Sequence, residues 1–141
     1  MITGLSFVGI LVSDIEAAVE LYSSILGVGP WEAGVMEMPG VKAAMFPVEG
    51  CSVELLQPTV GPEAEVGGDL ARLLAKRGEG FCRLGVWVDD LNAETARLRE
   101  AGFRIVDPGD YAGFGEGMGA RMAFVHPKSA SGVLVELDQR T

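Results

Sequence analysis

A chain of 141 residues is long enough for one domain with a substantial core and leaves little room for two independent ones. With 48% hydrophobic and 22% charged residues the composition is that of an ordinary folded protein, neither disordered nor membrane-spanning. The formal net charge of −9, with no Lys/Arg cluster to offset it, excludes nucleic acid and anionic membrane surfaces as partners. An anionic small molecule held at one local basic spot remains compatible.

In chain order, the first apolar run is LSFVGILV, residues 5–12, with no basic residue ahead of it and a helix cap after it. It reads as a strand rather than a signal peptide. Ser13 and Glu16 then stand at capping-box spacing, Ile15, Val19, Tyr22 and Leu26 recur at helical intervals, and Gly27 stops the helix. Strand-like runs follow over residues 31–38, 41–48 and 51–57, separated by Gly and Pro. The segment TVGPEAEVGG is a turn-rich linker with Glu63 and Glu65 solvated, and DLARLLAKRG is a short helix with Leu70, Leu73 and Leu74 on one side.

The run EGFCRLGVWVDDL, residues 79–91, opens a second strand-helix pair. Asp89 or Asp90 caps that helix, Leu91, Thr95 and Leu98 form its inner face, and Gly102 ends it. Further strand-like runs cover residues 103–106, 120–126 and 132–137. Before the second of these, the glycine-interleaved loop YAGFGEGMGA lacks the strand-then-helix context of a dinucleotide-binding loop. It is expected to form a flap with Phe114 and Met118 as apolar tips.

The two halves are a weak internal repeat. FVGILVSDIEAAVELY from Phe7 overlays RLGVWVDDLNAETARL from Arg83, aligning Gly9 with Gly85, Val12 with Val88 and Asp14 with Asp90. Further on, SVELL around Glu54 overlays LVELD around Glu136. The expected fold is therefore α+β, with β-α-β-β-β occurring twice. The whole chain reads as one domain: unit one 1–58, a linker with a short helix 59–78, and unit two 79–141. Cys51 and Cys82 have no metal-type spacing and read as free thiols in a reducing cytoplasm, with a disulfide between them as the open alternative.

The repeated unit resembles the vicinal oxygen chelate superfamily, which includes glyoxalase I, extradiol dioxygenases, bleomycin-resistance proteins and methylmalonyl-CoA epimerase. LAKRGEGF before the second unit and FVHPKSASGVLVEL at the end are phrases of the epimerase branch. The resemblance implies a curved mixed sheet around a cleft, a homodimer, and a divalent metal held by the first and last strand of each unit. Those ligand slots fall on Phe7, Glu54, Arg83 and Glu136. The family has histidine where this chain has Phe7 and Arg83, and His126, the sole histidine, belongs to the HPK turn. Phenylalanine donates no lone pair and a guanidinium repels a cation, so the expectation is no metal and no other cofactor.

Strand alternation then sends Phe7, Arg83 and Trp87 into the cleft and Val8, Ile10, Cys82, Leu84 and Val88 toward the helices. An arginine in a buried strand needs partners. Here they are expected to be Glu54 and Glu136, with the guanidinium as the positive centre. One such contact has a Coulomb term of about 4 kcal/mol at an effective dielectric of 20, before desolvation. The surplus carboxylate lies in a pocket expected to be lined by Phe7, Met45, Trp87, Met122 and Phe124, so its pKa rises and it becomes a general acid or base. The catalytic candidates are thus Glu54, Glu136 and Arg83. Lys128, Glu37 and Lys42 are added as substrate-binding candidates on the strength of the resemblance.

The function expected from these residues is a metal-independent epimerase, isomerase, cyclase or lyase moving a proton next to a carbonyl. Its ligand is a small molecule, either an acyl-CoA or an apolar secondary metabolite. Methylmalonyl-CoA itself is not expected, because in the family that chemistry relies on the metal. The competing expectation is a binding protein of the bleomycin-resistance type that sequesters an apolar or cationic small molecule, with Trp87 stacking on a cation.

Overall fold

The computed structural model describes residues 1–28, 34–106 and 120–141. Its elements are β1 (Ile2–Leu11), α1 (Ile15–Leu26), β2 (Val35–Met38), β3 (Val41–Val48), β4 (Cys51–Pro58), α2 (Gly68–Arg77), β5 (Gly80–Val88), α3 (Leu91–Glu100), β6 (Ile105–Val106), β7 (Ala120–Val125) and β8 (Leu134–Arg140). A 3-10 turn at Pro127–Ser129 joins β7 to β8. The order β-α-β-β-β is present twice, with α2 between, and the fold is α+β with eight strands among the described residues. Internal contacts divide the chain into two compact units, Gly9–Phe81 and the pairing of Met1–Val8 with Cys82–Thr141, so β1 contributes to both.

In the unit Gly9–Phe81 the strands run in the order β2-β3-β4-β1, with β3 antiparallel to both of its neighbours. Alternation puts Ile10, Ala44, Phe46, Val53 and Leu55 on one face, where they pack with Ile15, Ala18, Val19 and Tyr22 of α1. The helix starts one residue later than capping-box spacing suggests. Asp14 is the N-cap, its Oδ1 accepting from the Ala17 N–H at 3.1 Å. Ser13 is engaged elsewhere: its N–H and Oγ both donate to Glu79 Oε1, at 2.9 and 2.8 Å. Gln57 Oε1 accepts from the Ile15 N–H at 2.9 Å, satisfying another free donor of the first turn. Gly27, at φ 65°, closes the helix.

Leu26, assigned by spacing to the inner face of α1, is exposed together with Leu21 and Ile25. The helix is apolar around much of its circumference, so periodicity alone does not pick the buried side. At the other end of this unit, Gly40 in the β2-β3 turn and Gly67 before α2 meet backbone to backbone, at φ 75° and 84°. A side chain on either would collide with the main chain opposite.

In the unit of Met1–Val8 and Cys82–Thr141 the order is β1-β5-β8-β7-β6; β5 runs parallel to β8, and β7 is antiparallel to β8 and β6. One face carries Leu84, Val86, Val88, Ile105, Ala123, Val135 and Leu137, packed on Leu91 and Leu98 of α3. Of the two candidate caps, Asp90 holds the helix, accepting from the Ala93 N–H at 3.0 Å. Asp89 instead pairs with the Met1 amino group, which also lies 2.8 Å from Glu94. β8 extends to Arg140, three residues past the expected strand end at 137, so Asp138 and Arg140 belong to the sheet.

Both cysteines are free thiols. Among the described residues no helix is long and apolar enough to cross a membrane. The glycine-interleaved flap, with Phe114 and Met118, lies outside the described residues.

The Ser13 hydrogen bonds hold the Glu79 carboxyl below the usual carboxylate range. A depressed folded pKa means that the contribution is present above the ordinary glutamate pKa and lost as pH falls through the folded value. Glu79→Ala is therefore expected to lower the melting temperature at neutral pH. Thermal denaturation at decreasing pH should show the gap to the parent protein shrinking as Glu79 protonates.

Candidate functional site

The face of the second unit opposite α3 carries the candidate chemistry. Residues that face each other across neighbouring strands share a side of the sheet, and the pairings are Gly85 with Glu136, Trp87 with Asp138, Phe124 with Glu136, and Met122 with Asp138. Arg83, two residues before Gly85, lies on the same side. Gly85 is where β1 comes closest: a Cβ there would run into the Phe7 ring and the Ser6 hydroxyl. The absence of a side chain at Gly85 thus lets Phe7 and Ser6 settle against this face.

Phe7, Met122 and Phe124 are all buried, each 6% exposed, and make an apolar surround. Within it lie two acids, Glu136 at 8% and Asp138 at 5% exposure. Ser6 Oγ donates to Asp138 Oδ2 at 2.5 Å, and the Asp138 and Glu136 side chains hydrogen-bond to each other. Burial pushes the Asp138 carboxyl up from its ordinary value, with the hydrogen bonds from Ser6 and Glu136 acting in the opposite direction. Asp138 and Ser6 were not among the candidates drawn from the sequence. The available signal was position: two residues past Glu136 in a strand is the same face.

Arg83 is half-buried, and its Nε is enclosed without a hydrogen-bond partner. A buried donor left unpaired is costly, which marks this guanidinium as one placed for something other than packing. Trp87 is half-buried, and one face of its ring is covered by the Arg140 guanidinium at 4.4 Å. Lys128 is exposed on the turn after β7; its backbone N–H donates to His126 Nδ1 at 3.1 Å. His126 is held below the usual histidine range by burial and by the Arg104 and Lys128 charges, so it serves as a neutral turn acceptor.

In the first unit, Met45 and Glu54 face each other across β3 and β4, both half-buried, on the side opposite α1. Lys42 shares the parity of Ala44 and Phe46 and lies on the α1 side, its Nζ 3.9 Å from both Glu16 Oε1 and Glu37 Oε1. Glu37 faces Lys42 across β2 and β3. The structure thus brings Glu37 and Lys42 together with α1, and not with Met45 and Glu54.

Of the positions at which the resemblance implies metal ligands, each taken by itself is a poor partner for a transition metal. Phe7 has no donor atom, Arg83 carries a permanent positive charge, and Glu54 and Glu136 supply only carboxylate oxygens, where such metals favour nitrogen or sulfur.

Comparison with known proteins settles the family. Residues 7–124 match the Glyoxalase/Bleomycin resistance protein/Dioxygenase superfamily. The chain belongs to that superfamily. It is 34% identical to the ethylmalonyl-CoA/methylmalonyl-CoA epimerase of Cereibacter sphaeroides, over 99% of each chain. The crystal structure of the Mycobacterium tuberculosis methylmalonyl-CoA epimerase superposes with a TM-score of 0.71 at 34% identity, covering 99% of this chain and 89% of that one. A variant of the Streptomyces coelicolor enzyme in complex with 2-nitronate-propionyl-CoA gives a TM-score of 0.76 at 30% identity, covering 100% and 96%. The glyoxalase-like fold expected from the repeat is thereby confirmed at full length.

An acid whose folded pKa is raised contributes stability below its ordinary pKa and loses it as pH rises through the folded value. Asp138→Asn removes that dependence. Denaturant unfolding at pH values rising from the ordinary aspartate pKa should show the variant gaining on the parent protein as pH increases.

Proposed function

We propose that the protein is an epimerase of acyl-CoA thioesters, moving a proton at the carbon next to the thioester carbonyl without a metal. The observation that carries this reading is the buried Glu136 on the sheet face that also holds Arg83, in a chain alike over nearly its full length to acyl-CoA epimerases. A carbon acid beside a thioester loses its proton only if the negative charge that develops on the carbonyl oxygen is stabilised. Arg83, half-buried on the same face, has the permanent positive charge for that.

Glu136, buried on the face that Phe7 and Phe124 share, is the carboxyl proposed to exchange the proton. Epimerisation needs a proton removed from one side of the carbon and returned on the other, so a second proton carrier, a side chain or water, belongs to the proposal. Sequestration of a cation by stacking on Trp87 is the weaker reading, since Arg140 already covers one face of that ring.

The test is solvent exchange. Methylmalonyl-CoA incubated with the protein in deuterium oxide should take up one deuterium at the carbon between the two carbonyl groups, read by mass spectrometry. Glu136→Gln should slow this by about a hundredfold or more, the range expected for losing a general acid or base. Exchange equally fast with Glu136→Gln, or none with the parent protein, contradicts the assignment.

A further inference from the structure

Glu136 shares its side of β8 with Arg140 as well as Asp138, since residues two apart on a strand point the same way. The Arg140 guanidinium lies over the Trp87 ring, 4.4 Å from its centroid, and Trp87 stands opposite Asp138 across β5 and β8. Building on the epimerase reading, we propose that Arg140, held by Trp87, is the residue that selects thioesters whose acyl group carries a free carboxylate.

Contact with the ring decides what the guanidinium can do. It restrains a long, flexible side chain and consumes none of its N–H donors in hydrogen bonds. A restrained guanidinium presents a ready fork for a carboxylate, and the cost of ordering it is not charged against the ligand. Those donors are within reach of solvent, because Arg140 is exposed. Asp138, the nearest acid along the strand, is 5% exposed and its Oδ2 accepts from Ser6. Among the described residues no carboxylate lies within ion-pair distance of Arg140.

Spacing favours one of the two anionic parts of an acyl-CoA. Because the guanidinium lies over the cross-strand partner of Asp138, it sits roughly 7 Å along β8 from Glu136, two residues at about 3.3 Å each. A carbon within proton-transfer reach of Glu136, about 3 Å, brings a carboxylate bonded to that carbon within hydrogen-bond range of a cation so placed. The phosphates of CoA lie at the far end of the pantetheine arm, well beyond that span. Arg140 thus suits the acyl carboxylate, and Trp87 is its positioning residue.

Calorimetric titration of the full chain with methylmalonyl-CoA and with propionyl-CoA separates the two anions, since propionyl-CoA keeps every phosphate and lacks the carboxylate. The parent protein is expected to prefer methylmalonyl-CoA. Arg140→Gln should weaken that ligand about 10- to 100-fold, the loss expected for charge-assisted hydrogen bonds, and leave propionyl-CoA unchanged. Trp87→Leu, which leaves the guanidinium present but unheld, should lose part of the same preference, and Arg140→Lys should keep part of it. Arg140 is exposed near the end of β8, so its replacement spares the core, and melting curves check this. A parent protein without the preference, or a preference indifferent to Arg140→Gln, overturns the proposal. So does an equal loss for both thioesters, which would assign Arg140 to a CoA phosphate. Deuterium exchange keeps the two readings apart: exchange by the parent protein alongside any of these results removes only the role of Arg140. An Arg140-dependent preference in a protein that exchanges no proton supports that role and removes the epimerase reading instead.

Discussion

Everything chemical in this protein depends on two acids being buried together on one side of β8. Strand alternation leaves no choice in the matter: once Val135 and Leu137 are committed to the core with α3, Glu136 and Asp138 must face the other way. That other side is apolar, walled by Phe7, Met122 and Phe124. Two full charges there would be far costlier than one, so hydrogen bonding between the acids and from Ser6 is what makes the burial tolerable. The fold supplies the wall through Gly85, whose missing side chain admits Phe7 and Ser6 against the sheet.

This arrangement gives a physical meaning to the departures from the family pattern. With phenylalanine and arginine at the positions where the resemblance implies histidine, this face offers oxygen acceptors and a fixed organic cation. Arg83 brings positive charge without needing coordination, and its enclosed Nε is a hydrogen-bond donor with nothing to bind among the described residues. The reading as an acyl-CoA epimerase rests on that chemistry together with the full-length likeness to enzymes of that kind. Trp87 is better understood as the platform on which Arg140 is stacked than as a surface awaiting a cation.

The fold was legible because the same pattern occurs twice: a strand feeding a capped helix, then three short runs divided by Gly and Pro. Local competition was harder to see. Ser13 and Asp14 are both good caps, and the choice went to Asp14 because Glu79, distant in sequence, draws Ser13 away. The side of the sheet on which Lys42 and Glu37 lie follows from Ala44 and Phe46 being core, a parity argument that the proline and glycine of the turn obscured. Asp138 was missed for a related reason, since the last strand was read as ending at residue 137 and a residue past a strand end has no assigned face. Arg83 stood out from the sequence because a charge in a buried strand asks for an explanation, whereas an acid near a chain end does not.

The claim at the centre of this account is that a guanidinium, not an inorganic ion, supplies the positive charge of the site. The most direct measurement is a calorimetric titration of purified, chelator-treated protein with cobalt or zinc, paired with elemental analysis of the protein as isolated. The account predicts neither a stoichiometric metal in the isolated protein nor a saturable site in the titration, with Arg83→His together with Phe7→His creating one. Tight binding of one metal ion per chain by the parent protein would contradict it.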